Sequence, residues 1–556
     1  MTTNVGEQNT AAGGAFAPLR EPVFRRIWSA SVLSNFSQLF LGIGAQWEMT
    51  KLTDSTTMVA LVQTAMMLPL MLVTLPAGAV ADMFDRRKIA MMGLAFSALN
   101  AAILATLAFM GLTTPWVLLG FCVLIGAGVA LYAPSWQASI PEQVSRPHLP
   151  AAVALGTISY NVARSFGPAL GGLIVLAAGA KAVFALTSVL YSPLFLAFLT
   201  WRRKHVPSRL PPERVDRAIV GGLRFAVHSP PIRTALLRVL GFGLSTATAS
   251  ALAPLVAKDL LDGNAATFGI LLGAQGVGAV IGALFVSRIR EKIGVERAIK
   301  LCAIGTGLSL VGIGFSGSLG AACAGFFVVG ACNILTIALL NVSVQMSAPR
   351  WVTARALSLF SSAITAGVGI GAWLWGEFAD ANGVSVAFIA SGCAVGATAL
   401  LGYLLPVAQD REGENGMVPI GNEPEVGLEL TPRSGPIVVE VEYDVDPRQA
   451  REFYTVMMEM QRVRKRIGGF EWSLARDIAD PSLWTERYHC ATWGDYLRMR
   501  DRYSQEDFAV QSAADGFNRS DEGRRVRRRL ERPFGSVRWK ADTPDPLQET
   551  VNYMAP

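Results

Sequence analysis

Arg164 stands in "ISYNVARSFGPALGG", an apolar run with no acid beside it. A guanidinium keeps its proton at any working pH, and an unpaired one inside hydrocarbon is costly, so it must meet an anion or a polar cavity. Three partners are open: Glu48 in "GAQWEMT", an anionic ligand, or a fixed polar clamp with Asn161. Glu48 can titrate and couple protons, or it sits as an interfacial residue beside Trp47. Asp82 ends a second apolar run; Gly78 precedes it, and Arg86, Arg87 and Lys88 follow. A carboxylate there faces the positive end of a neighbouring helix or stands as a solvated cap. Gln137 and Asn341 line a cavity or bond between helices. Near the C-terminus His489, Trp493 and Tyr496 cluster, as a small-ligand or catalytic pocket or as core and dimer interface.

Other chemistry is missing its signals. None of the 6 cysteines forms a CxxC pair, so they read as small buried thiols, with no metal site. No GxxxxGK[ST] occurs, which argues against ATP-driven work. No cofactor is implied.

The elements that position these residues are membrane helices. Hydrophobic residues make 51% of the chain and charged ones 16%, more apolar surface than a soluble core can use. We expect about twelve spans between Ile27 and Leu405. They must be helices, because hydrocarbon offers no partner for backbone amides. Cations concentrate in alternate loops, around Arg86, Arg146, Arg202, Arg288 and Arg350. Positive loops stay inside, so both termini are expected in the cytoplasm, and the basic charge needs no nucleic-acid partner.

The chain also repeats itself at an offset of about 204 residues. Gly78 falls on Gly282, Arg86 on Arg290, Gln137 on Asn341, Gly167 on Gly371 and Gly172 on Gly376. Two six-helix halves of like orientation follow, suited to rocking about a central site. The expected organisation is an N-terminal segment 1–23, a first half 24–201, a linker 202–235, a second half 236–406, a flexible linker 407–435, a soluble domain 436–540 and a tail 541–556.

With "GAVADMFDRRK" and "ARSFGPALGG", residues 24–405 resemble the major facilitator superfamily. "AQWEMTKLTDSTTMVALVQTAMMLPLMLVTLPAGAVAD" resembles its bacterial exporter branch, which includes the enterobactin exporter and the transmembrane secretion effectors. The resemblance implies that Gly78, Asp82, Arg86 and Arg87 form a latch against the eleventh helix in the outward-open state. It implies that Gly167, Pro168, Gly171 and Gly172 form the antiporter motif of the fifth helix, a seal against proton leak. The chain departs from the pattern at Met83, where many members carry Arg, at Asp85, where many carry Gly, and at Val286, where the second copy loses the aspartate. "IGAWLWG" lacks the proline, so the antiporter device is expected in the first half alone.

After residue 435 the pattern changes. "PIVVEVEYDV" alternates as a strand, and "PRQAREFYTVMMEMQRVRKRI" has a helical apolar face. "GGFEWSLARDI" and "LWTERYHCATW" read as strands, "WGDYLRMRDRY" as a helix and "GSVRW" as a last strand. Arg524 to Arg529 read as a solvated helix or a contact for anionic headgroups. The β-α-β-β-α-β order predicts a ferredoxin-like α+β domain. It resembles the dimeric α/β-barrel domains related to antibiotic-biosynthesis monooxygenases, which pair sheet to sheet. The fold expected is therefore an all-α membrane bundle with a C-terminal α+β domain. The function expected is export of siderophore- or drug-like small molecules across a bacterial inner membrane by alternating access, with proton antiport implied by the resemblance. The alternative is a membrane-tethered enzyme or ligand sensor, in which the tail acts on a compound the bundle handles.

Overall fold

The computed structural model describes residues 16–83, 85–201, 223–348, 352–407, 424, 426–428, 430–500, 502–520 and 523–531. The side chains of residues 74–83, Gly78 and Asp82 among them, lie outside the described ones. The chain forms two compact units; Met1–Ile219, Thr234–Val342 and Leu357–Val407 make the first, and Ala408–Pro556 is the largest piece of the second.

In the first half α1 is Pro22–Leu52, α2 Thr56–Met83, α3 Arg86–Phe109, α4 Pro115–Ser139 and α5 Leu149–Thr200. The second half holds α6 Pro230–Thr246, α7 Ala265–Ile293, α8 Val295–Gly314, α9 Leu319–Ser347, α10 Thr353–Asn382 and α11 Val384–Thr398. Local signals set the starts. Asp85 accepts from the Arg87 amide at 3.0 Å to open α3, and Asn264 and Thr267 make a reciprocal capping box at α7. Among the described residues, 10 helices are long and apolar enough to span a bilayer. One of them, α5, breaks at Gly179, whose φ of 79° and ψ of 167° suit glycine and reverse the chain, so it crosses twice. With α1, made more polar by its serines, Asn35, Gln38 and Gln46, the count agrees with the about twelve crossings expected.

The tail is the expected ferredoxin-like fold. Strands β1 Ile437–Asp444, β2 Phe470–Arg476, β3 Leu483–Cys490 and β4 Arg525–Leu530 form one antiparallel sheet in the order β2-β3-β1-β4. Helices α12 Ala450–Ile467, α13 Trp493–Arg500 and α14 Gln505–Asp515 complete it. Val439, Tyr443, Phe453, Met457 and Tyr488 make its core. One expectation, a last strand at "GSVRW", falls outside the described residues, and one, a helix at Arg524 to Arg529, needs correction. The last described strand is the arginine-rich 525–530. Those arginines are strand residues whose charges pair across the ladder, Arg527 to Glu442 at 3.3 Å and Arg529 to Glu440 at 3.1 Å.

Candidate functional site

The first arm of α5, residues 149–178, carries most of the candidates, and its neighbours assign its faces. A methyl added at Gly167 would stand 3.1 Å from Leu39, and one at Gly171 3.2 Å from Phe40, so these glycines admit α1. A methyl at Gly172 would stand 2.8 Å from the Gly269 Cα, and Ser165 Oγ donates to the Gly276 carbonyl at 3.3 Å, so this face admits α7. Ile158, Val162, Phe166, Leu170 and Leu173 form an exposed apolar stripe. At about 100° per residue, one sector remains, between the α1 and α7 faces and opposite the stripe. It holds Thr157, Tyr160, Asn161, Arg164 and Pro168. Because α7 belongs to the second half, this sector looks between the halves.

The repeat recurs in the packing. Gly371 of α10 packs on Leu244 and Ala247 beside α6, the first helix of its own half, as Gly167 packs on α1. Gly376 packs on Thr57 and Ala60 of α2, in the opposite half, as Gly172 packs on α7. The small-residue device is therefore present in both halves, although only the first carries the proline. Two equivalent seams, α5 on α7 and α10 on α2, join the halves.

These seams favour one end of the bundle. We call the end where α1 begins the terminal end and that of the α1–α2 turn the distal end. At the distal end the Asp380 carboxylate of α10 accepts from the Thr56 amide at 2.9 Å and from the Thr56 hydroxyl at 2.9 Å. Lys258 Nζ donates to the Thr50 carbonyl at 3.1 Å, and Gln46, bonded to Gln63, reaches the Ser250 carbonyl at 3.3 Å. Thr64 donates to the Gly369 carbonyl at 2.7 Å. Toward the terminal end the α5-facing register of α7 runs on from Gly276 to Val280, Ala283, Leu284 and Ser287, all exposed, while Gly278 and Gly282, on another face, pack on Phe327 and Ala331 of α9.

Other predicted residues lie apart. Arg87 donates to the Phe198 and Leu199 carbonyls at 2.8 and 2.7 Å, capping the last turn of α5. Arg86 reaches the Ala138 carbonyl at 2.7 Å and Glu142 at 3.3 Å. Both tie α3 to helix ends of their own half. Glu48 is half-buried near the distal end, Gln137 is exposed on α4 and Asn341 is half-buried on α9.

With this geometry in hand, comparison with known proteins is decisive. Residues 13–534 match the family model described as "Transmembrane secretion effector". The chain belongs to that family of major facilitator transporters. It is 25% identical to the Staphyloferrin A transporter of Staphylococcus aureus, over 50% of this chain and 71% of that one. It is 28% identical to the Multidrug efflux pump Tap of Mycolicibacterium fortuitum, over 62% and 86%. It is 26% identical to the Enterobactin exporter EntS of Escherichia coli, over 64% and 85%. Among solved structures, an inward-facing bacterial homolog of the lysosomal transporter Spinster matches with a TM-score of 0.56 at 14% identity, over 70% of this chain and 95% of that one, which shows the fold. These relatives are transporters, and this secretion effector is a multi-pass membrane transporter.

In the transporter's tail, the predicted trio does not converge. Trp493 and Tyr496 stack at 5.2 Å inside the core. His489 alternates with the core residues Tyr488 and Cys490, so it lies on the opposite sheet face, 3.5 Å from Glu471 and 3.3 Å from Glu531. Sequence reasoning missed the network beneath. Arg464 makes a bidentate pair with Glu486 at 2.8 and 3.0 Å, donates to Gln511 and lies over the Tyr488 ring, while Trp472 donates to Glu486 at 2.9 Å. Burial, then the neighbouring Glu486 charge, pushes the Tyr443 phenol up to about 12. The alternation of β3 was the available signal: it puts Glu486 on the face of Tyr488 and Cys490.

Proposed function

We propose that this transporter exports small molecules across a bacterial inner membrane by alternating access, with both termini cytoplasmic and a proton moving in exchange. The observation that carries the reading is the pair of equivalent seams, packed at the distal end, with the α5-facing register of α7 exposed beyond Gly276 toward the terminal end. Cations in alternate loops support a cytoplasmic terminal end. On that reading the bundle is open to the compartment from which an exporter loads. The names of the relatives, an enterobactin exporter and a multidrug efflux pump, favour outward movement of siderophore- or drug-like cargo. Proton exchange rests on the family resemblance.

The terminal-end latch that the resemblance implies at Gly78, Asp82, Arg86 and Arg87 would close the opposite side in the other state. Gly167, Pro168, Gly171 and Gly172 would keep the α5 seams tight while the halves rock. The tail, with Trp493 and Tyr496 inside its core, is read as an accessory domain that pairs with a second copy rather than as an enzyme.

Inverted membrane vesicles test this. Ethidium and carboxyfluorescein should accumulate inside them when respiration acidifies the lumen, and a protonophore should stop it. Accumulation that ignores the protonophore would remove the antiport, and none above vesicles lacking the protein would remove export.

A further inference from the structure

We infer that Arg164 is the recognition group for a small organic anion, carboxylate or catecholate in type, that passes between the halves. This rests on the transport reading above and adds the charge of the cargo.

Depth is the first argument. Arg164 lies midway along the first arm of α5, between its start at Leu149 and the break at Gly179. At 1.5 Å per residue either end is roughly 22 Å away. Lipid headgroup phosphates lie at the faces of a hydrocarbon layer about 30 Å thick, beyond the reach of this side chain. Direction is the second. Its sector lies between the α1 and α7 faces and away from the exposed apolar stripe.

The third argument is the missing counter-charge. Among the described residues no hydrogen bond or ion pair engages the Arg164 side chain. Glu48 cannot supply one. Gly167 is level with Phe36 and Leu39, which puts Glu48 roughly 20 Å further along the axis than Arg164. Every other described aspartate and glutamate of the bundle lies at one end or the other. A midplane cation without a fixed acid needs a mobile one.

The repeat adds a fourth. The position equivalent to Arg164 in the second half is Val368, so the charge is no part of the symmetric frame that joins the halves. Tyr160, Asn161 and Thr157 share its sector and offer further donors. A guanidinium fork beside neutral donors is the arrangement that binds paired anionic oxygens.

The test uses the full chain in proteoliposomes with two probes, the anion carboxyfluorescein and the cation ethidium, and reads the ratio of their fluxes. That ratio is insensitive to how much protein folds. Arg164→Gln should lower it by about tenfold or more, the loss expected for one charge-assisted contact. Arg164→Lys, which keeps the charge but not the fork, should restore part of it. An unchanged ratio in Arg164→Gln overturns the anion site and leaves export standing, as does a wild-type protein that moves ethidium alone. Absence of flux for both probes in the wild type overturns the transport reading, and this inference with it.

Discussion

Arg464 and Arg164 are the same side chain under opposite conditions. Arg464 is enclosed, and its donors go to Glu486 and Gln511 over an aromatic face. Its charge is satisfied and it holds α12 to the sheet; nothing about it asks for a ligand. Such a pair resists the loss of one member more than the loss of both, because a single deletion strands the other charge away from water. We expect Arg464→Met or Glu486→Leu alone to destabilise the tail by about 3–5 kcal/mol, and the double variant by clearly less. Hydrogen exchange across β2 and β3 in the full chain measures this; additive losses would mean that the pair is not coupled. The two arginines were not equally legible. Arg164 is conspicuous because its surroundings are apolar. Arg464 is hidden in "QRVRKRI", one cation among four. Asp380 stands at a helix end, where no local pattern announces a partner more than 300 residues away.

At the scale of elements, the second half grips the α1–α2 turn of the first by matching charge to helix ends. Lys258 meets a carbonyl in the last turn of α1, where the helix is negative, and Asp380 meets the first amide of α2, where it is positive. Both bonds must break if the halves separate at this end. Each is worth about 1 kcal/mol, so removing both should shift the balance toward the distal-open state by about tenfold or more. Spin labels at Ser55 and Asn382 in an Asp380→Asn, Lys258→Met variant should show a larger long-distance population than in the wild-type background. An unaltered distance distribution would show that these bonds do not set the equilibrium. Helix existence was legible because hydrocarbon leaves apolar segments no alternative. Two tail elements were not. The core-facing period of β4 is masked by arginines that serve cross-strand pairs, and α14, "QEDFAVQSAAD", has too few apolar residues to show a face.

At the scale of the whole molecule, the internal repeat was the most informative feature of the sequence, because an offset in residue numbers became a symmetry of contacts: Gly167 with Gly371, Gly172 with Gly376. The end of the bundle near residue 405 was legible in the sequence, but what that end depends on was not. Near the last apolar residues the backbone of Val407 donates to Glu296 at 3.1 Å, and Glu296 pairs with Arg238 at 2.6 Å. Arg238 is 3% exposed and also reaches the Leu405 carbonyl at 3.4 Å. A buried cation and its acid thus take part of their partners from the last few residues of the first unit. If the tail is accessory, truncation after Val407 should leave the carboxyfluorescein-to-ethidium ratio and the flux within about threefold of the full chain, as for independent sites. Truncation after Leu404 removes the Leu405 carbonyl and the Val407 amide, and strips the Arg238–Glu296 pair of two partners. That protein should lose thermal stability in detergent and transport poorly, although it is shorter by only a few residues. If both truncations abolish flux equally while both remain folded, the tail takes part in transport and its reading as an accessory domain fails. If both transport as the full chain does, the closure around Glu296 contributes nothing.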